Sequence, residues 1–119
     1  MGIILDADGE RIGALGLAGL TGAASTAVLD IHVLPGHEED GRRVAVLATQ
    51  AAFNGSPIDH LYTERFDDDP DLFTDMAGAW ALEVRLPEFA RVDGRYADRL
   101  ISGVSRSEFE RWFEALPIA

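Results

Sequence analysis

The sequence predicts one α+β domain, a mixed, mostly antiparallel twisted sheet with a central parallel strand pair and flanking helices. Three observations predict it. Alternating apolar runs on either side of Asp8-Gly9 read as an antiparallel hairpin. A helical stripe lies between alternating runs near 26–34 and 57–64, giving a strand–helix–strand unit whose two strands are parallel neighbours. Finally, 119 residues with 47% hydrophobic content supply one core and leave no room for a second.

The elements follow in order. In "IILDADGERIGAL", Asp8-Gly9 supplies the positive backbone angles of a tight turn, so strands are expected at 2–7 and 11–20. The second run carries Gly13, Gly16, Gly19 and Gly22; with no proline and only four repeats it is not collagen-like, and a strand crowded by neighbouring backbone is expected. "TAVLDIHVL" sets Ala27, Leu29, Ile31 and Val33 on one face and Val28, Asp30, His32 and Leu34 on the other, and Pro35 ends the ladder. From Gly41 the period changes: Val44, Leu47, Ala48 and Ala51 fall at i, i+3, i+4 and i+7, a helix that runs to about Phe53 and closes at Asn54-Gly55. "PIDHLYTE" is the next strand, "DPDLFTDMAGA" a short helix with Pro70 in its first turn, and "WALEVRL" another strand. "YADRLISGVSR" is the last strand. "SRSE" at 105–108 is a capping box, and Phe109, Trp112, Phe113 and Leu116 then form an apolar helical face.

Composition excludes several function classes. Twenty-one acidic against ten basic side chains give a formal charge of -11, which repels nucleic acid and anionic lipid. With no cysteine there is no disulfide scaffold, thiolate metal site or cysteine nucleophile. The start "MGIILDAD" lacks the basic segment of an export signal, and "IGALGLAGLTGAA" is short of the roughly 20 apolar residues of a membrane helix. A soluble, cytoplasmic protein without nucleic-acid or membrane partners is expected.

Chemistry has few places to reside. A strand that ends at Pro35 and a helix that opens near Gly41 direct unpaired amides and the positive end of a helix dipole at one spot, a geometry suited to a pyrophosphate. Glu38, Glu39 and Asp40 oppose it, each by about 0.7 to 3 kcal/mol per charge pair at about 6 Å, and Arg42 and Arg43 offset two of them. Phosphate grip and plain capped turn both remain open on this ground. His32 and His60, on the two parallel strands, are expected to face one side of the sheet near one cleft, with Asp30 sharing the face of His32 and Tyr62 that of His60. That cluster is either a general-base site or a packed, hydrogen-bonded set. His37 lies in the loop. The histidines are not spaced for ligation and "ERFDDDPD" lacks a calcium-loop pattern, so no metal site is expected.

Element order and the quoted residues together resemble the GNAT superfamily of acyl-CoA-dependent N-acyltransferases, within it the Rim-type branch. "DADGERIGALGL" is similar to that family's second and third strands. "AVLDIHVLPGHEEDGRRVAVLATQAAF" is similar to its fourth strand, pyrophosphate loop and third helix. The stretch from Asp68 to Phe109 is similar to the Rim-type ending. The family's loop reads Gln or Arg, two residues, Gly, one residue, Gly or Ala; here those places hold Glu38, Gly41 and Arg43. Asp69 stands where the family often has Asn, Ala79-Trp80 where it has Gly-Phe and Val84 where it has Gly. The tyrosine that many relatives use as general acid in the fourth helix has no counterpart in "FTDMAGAW".

The resemblance implies a GNAT-like domain lacking the family's first strand and first two helices, with acetyl-CoA or another acyl-CoA between the strands ending at Leu34 and Tyr62. Val33, Leu34, Gly36, His37, Asp40, Gly41, Arg42 and Arg43 would line the cofactor. His32 or Asp30 would deprotonate a small-molecule amine or a peptide N terminus, with His60 and Tyr62 nearby. The missing front end leaves sheet edge and apolar surface, so a homodimer or a partner chain is expected. Two alternatives stand beside catalysis: a degenerate relative serving as a binding or dimerisation module, and a cleft reused for another small-molecule reaction.

Overall fold

The computed structural model describes residues 2–20 and 23–117. Six strands form one sheet in the order β1-β2-β3-β4-β6-β5, from β1 (Gly2–Leu5), β2 (Arg11–Leu20), β3 (Ala23–Val33), β4 (His60–Phe66), β5 (Ala81–Val92) and β6 (Arg95–Ser105). Helix α1 (Glu38–Gly55) links β3 to β4 and makes them the parallel pair; every other neighbouring pair is antiparallel. Helix α2 (Arg106–Glu114) follows β6 directly. This is the mixed α+β architecture that the alternation and the strand–helix–strand unit predict.

One face of the sheet holds the core. Leu29, Leu61 and Val104 point into it from β3, β4 and β6, and Ala45, Ala52, Phe53 and Phe109 meet them from the helices. Phe53 of α1 and Phe109 of α2 stack at 5.7 Å between ring centroids, tying the helices together over that face. The opposite face carries Val28, Asp30 and His32 of β3 and His60, Tyr62 and Glu64 of β4, the alternate set of each strand. Both helices, α1 and α2, belong to the core side.

The first hairpin turns through residues 6–10, and of the expected Asp8-Gly9 pair only Gly9 takes a positive φ, 82°; the Asp6 carboxylate accepts the N–H groups of Asp8 and Glu10 at 2.9 Å each. Gly13 fulfils the expectation of backbone crowding, since a Cβ there would collide with the His32 carbonyl oxygen. Gly16 and Gly19 do not: open space surrounds both, and Gly22 lies outside the described residues.

Several elements depart from the expected bounds, β1 ending at Leu5 rather than at 7, and two of the departures have a local cause. The short helix expected over 69–79 is only a 3-10 turn, Thr74–Met76. Asp69 and Asp71 explain this: their carboxylates accept the N–H groups of Phe66 (3.1 Å) and Phe73 (2.9 Å), local bonds that compete with a helix. Strand β5 runs past Pro87 to Val92 because the register shifts between Leu86 and Ala90, with Glu88 at φ 48°. Asp98 holds that bulge by accepting from the Glu88 amide at 2.9 Å and the Arg85 Nε at 2.7 Å, and the Glu88 amide, then Arg85, keeps its carboxyl below the ordinary range. Between β1–β3 and α1 an apolar groove of about 500 Å³ is open to solvent, with Leu17 and Leu47 exposed along it.

Candidate functional site at the splayed strand pair

The β3–β4 ladder is short. Thr26, Ala27 and Val28 pair with His60, Leu61 and Tyr62, and pairing stops there although β3 continues to Val33 and β4 to Phe66. Each strand stays with its outer neighbour: Val33 with Gly13 of β2, Phe66 with Arg99 of β6. The inner edges therefore diverge beyond Tyr62. A cleft of about 150 Å³ lies between them, lined by Ile31, His32, Val33, Glu64, Arg65 and Leu72. The strand that leads into Leu34 and the strand that carries Tyr62 are thus parallel neighbours, as expected.

The mouth of the cleft meets the start of α1. That helix begins at Glu38, three residues before the expected Gly41, because Glu38, Glu39 and Asp40 suit the positive end of the dipole. The consequence corrects the expectation that the amides between Pro35 and Gly41 are unpaired and directed at one spot. The Gly41 N–H donates to the His37 carbonyl at 2.9 Å, and that of His37 to the Leu34 carbonyl at 3.0 Å. Gly41 itself is buried for packing: a Cβ there would meet Leu72 at 2.9 Å and Val33 at 3.1 Å. The Gly36 N–H donates to the Glu38 carboxylate at 3.3 Å. Bonds from its own amide and then from Gly36 hold the Glu38 carboxyl below the ordinary glutamate range. The amides of Glu39 and Asp40 have no partner among the described residues, and His37 at the N-cap offers no side-chain cap.

Arg43 is committed to acids of its own helix. Arg43 turns outward onto Glu39 at 3.1 Å and Asp40 at 3.7 Å, and Asp40 also lies 3.6 Å from His37. The acids flanking the helix start are thus largely paired with local cations. Glu38 is the exception, a carboxylate laid across the first amide of the loop, with Arg42 only a distant charge influence.

The four expected catalytic residues share one face but form two groups. His60 sits opposite Thr26, so His32 lies six residues further along β3, roughly 20 Å away at about 3.3 Å per residue. The expected meeting of the two histidines in one cleft does not occur: His32 lines the splayed cleft, and His60 sits at the closed end. Tyr62 occupies the point of divergence. Asp30, two residues beyond its partner Val28, lies roughly 8 Å from it by strand geometry, exposed and with no ion pair among the described residues. Sequence reasoning missed Glu83, whose Oε2 lies 3.4 Å from His60 Nε2, and the ion pair of Glu64 with Arg99 beside the cleft. Among the described residues no group of three or more His, Cys, Asp or Glu is placed to hold a metal ion, and no helix is long and apolar enough to cross a membrane.

No family model matches the chain, and no curated protein matches it by sequence. Solved structures do. A mutant spermidine/spermine N-acetyltransferase from Vibrio cholerae superposes with a TM-score of 0.75 at 21% identity, covering 92% of this chain and 68% of its own. The spermidine N-acetyltransferase of the same organism in complex with CoA and spermine gives 0.74 at 20% identity, covering 91% and 66%. A protein assigned as a phosphinothricin N-acetyltransferase gives 0.72 at 21% identity, covering 87% and 68%. The chain has the GNAT fold of these N-acetyltransferases and spans about two thirds of their length.

Proposed function

We propose that the chain is a cytoplasmic N-acyltransferase that moves an acyl group from acyl-CoA to an amine of a small molecule or a protein N terminus. One observation carries the reading: a parallel strand pair that diverges at Tyr62 and opens beside a helix start with unpartnered amides. The fold shared with N-acetyltransferases, one of them solved with CoA and spermine, supports it.

The residues fit an acyl-CoA on most counts. The unpaired inner edge of β3 at Val33 offers backbone groups to an extended thioester arm, whereas the Leu34 N–H donates to the Ile12 carbonyl at 2.7 Å and its carbonyl accepts from His37, which leaves Leu34 only its side chain to line the arm. The start of α1, with Gly36, His37, Asp40 and Gly41 shaping its approach, offers donors to a pyrophosphate, and Arg42 and Arg43 offset the charge of the neighbouring acids. Glu38 must turn away for Gly36 to donate outward. Acyl-CoA supplies an activated thioester. Asp30, exposed and unpaired, accepts the proton of the attacking amine, His32 forms a wall of the cleft, and Tyr62 donates to the leaving sulfur. Tyr62 takes this part because it stands where β3 and β4 diverge. The β1 edge, unpaired among the described residues, and the apolar groove favour a homodimer or a partner chain over an isolated monomer.

A second reading rests on Glu38. A built-in carboxylate on the Gly36 amide is what a scaffold that has lost its nucleotide would carry. Calorimetry separates the two. Micromolar binding of acetyl-CoA, strengthened by Glu38→Gln, is expected on the catalytic reading; no heat from either protein establishes the second.

A further inference from the structure

We infer that Glu83, seated over Gly103, positions Tyr62 through His60 for proton donation, an inference that rests on the acyltransferase reading above. The His60 and Tyr62 rings stack with centroids 4.6 Å apart and planes inclined by 37°. On its other side His60 Nε2 meets Glu83 Oε2 at 3.4 Å. Neither α1 nor α2 contributes to the hydrophobic cluster on this face, and the contacts of His60 with the Tyr62 ring and with Glu83 lie where β3 and β4 diverge.

The backbone is arranged for that contact. Between Leu82 and Val84 the β5–β6 register shifts, and Glu83 is the extra residue of the bulge. Its carboxylate lies flat on Gly103, the β6 residue paired with Tyr62. A Cβ at Gly103 would collide with Glu83 Oε2 and stand 3.0 Å from His60 Nε2, so any side chain there evicts the carboxylate. Glycine weakens a strand interior and is found where something must approach closely. Here the approaching group is Glu83. Glu108 of α2 also acts on His60 by charge, but its carboxylate is held by the Ser105 amide and hydroxyl, and Asp59 is turned to Arg106. Glu83 is thus the carboxylate in contact with the imidazole.

During transfer the amine nitrogen forms the C–N bond to the acyl carbon, and the C–S bond breaks with its electron pair left on sulfur. The Tyr62 hydroxyl protonates that sulfur. Asp30 takes the amine proton and passes it to solvent, from which Tyr62 is reprotonated. A phenol free to swing would meet the sulfur less often, so loss of Glu83 slows the chemical step without weakening either substrate.

The test uses Glu83→Gln, Gly103→Ala, the double variant and Tyr62→Phe, with acetyl-CoA as donor and spermidine or an unblocked peptide as amine. Thiol release is followed, and the His60 and Tyr62 ring protons are observed by NMR. Tyr62→Phe should lower kcat at least 10-fold. Glu83→Gln and Gly103→Ala should each lower it several-fold with both KM values within twofold, and the double variant should be no worse than either single. Both single variants should also reduce the ring-current shift between His60 and Tyr62, a readout that needs no turnover. An unchanged ring-current shift, or Gly103→Ala slowing the Glu83→Gln protein further, overturns the inference while leaving acyl transfer intact. If Gly103→Ala does not fold, Glu83→Gln alone decides through the ring-current shift and the kcat-against-KM split. Failure of the wild type to bind acetyl-CoA overturns the acyltransferase reading and this inference with it.

Discussion

The two ends of helix α1 are finished in opposite ways. At its C-terminal end, Arg106, the first residue of α2, donates to the carbonyl oxygens of Phe53 at 2.5 Å and Ser56 at 2.9 Å and also to that of Ile58, with its guanidinium 5.2 Å from the Phe53 ring. Ser56 adds a bond from its hydroxyl to the Ala52 carbonyl at 2.7 Å. At the N-terminal end His37 provides no cap, two amides have no partner among the described residues, and one glutamate covers the loop before them. Unmet helix donors cost stability wherever water cannot reach them. On the proposed reading the open end beside the cleft is the one that meets the ligand, while the other is closed by a residue some 50 positions away.

The comparison breaks most visibly at Arg106. Arg106→Met keeps the stem but strands three carbonyls and uncouples α2 from α1, and a loss of about 2 kcal/mol is expected from charge-assisted bonds of this kind. Urea unfolding should show it as a lower midpoint with an unchanged slope. Acetyl-CoA affinity per folded molecule should stay within twofold. A large affinity loss would mean that the two ends are not independent.

Local pattern carried much of this fold and little of its site. Alternation in "TAVLDIHVL" and the stripe from Val44 to Ala51 are short-range signals, and they placed β3, α1 and the parallel β4. That Asp30 shares a face with His32, and Tyr62 with His60, was readable for the same reason. The distance from His32 to His60 depends on pairing register, which no single strand encodes, and so the two histidines parted. Glu83 was hidden by its bulge: "WALEVRL" reads as plain alternation, and the shift that turns the carboxylate onto Gly103 arises only against β6. Arg106 stood inside the legible "SRSE" box, yet its partners on α1 lie far off in sequence. The acids before Gly41 read as loop, although a helix start accommodates them well.

The open end is sharpened by Glu38→Gln. Removing one negative charge about 6 Å from a pyrophosphate is worth roughly 0.7 to 3 kcal/mol, so acetyl-CoA should bind about 3- to 150-fold more tightly at pH 7 by calorimetry. Stability should hardly change, since the side chain lies at the surface. The pH dependence has a definite sign. Amide bonds from Glu38 itself and Gly36 lower the carboxyl, so it is anionic at neutral pH and protonates only as pH falls below the ordinary glutamate value of about 4.3. The advantage of the variant should therefore be complete at pH 7 and vanish in acid. Equal affinities at neutral pH would show that Glu38 does not contend for the helix start.

Helix α2 supplies the smallest and cleanest contrast, because its N terminus is closed where that of α1 is open. The Ser105 hydroxyl accepts the Glu108 N–H at 3.1 Å, and the Glu108 carboxylate accepts the Ser105 N–H at 2.8 Å, the reciprocal box the sequence predicts. Ser105→Ala should cost about 1 kcal/mol and leave acetyl-CoA binding unaltered. The Ser105 amide, then its hydroxyl, holds the Glu108 carboxyl below the ordinary range, so its contribution is present above that range and lost as pH falls through the lowered value. Thermal unfolding at pH 7 and in acid should then show the gap between wild type and Ser105→Ala narrowing on acidification. A gap independent of pH would mean that the serine contributes through the hydroxyl alone, and that a filled helix start on this protein owes little to the carboxylate three residues on.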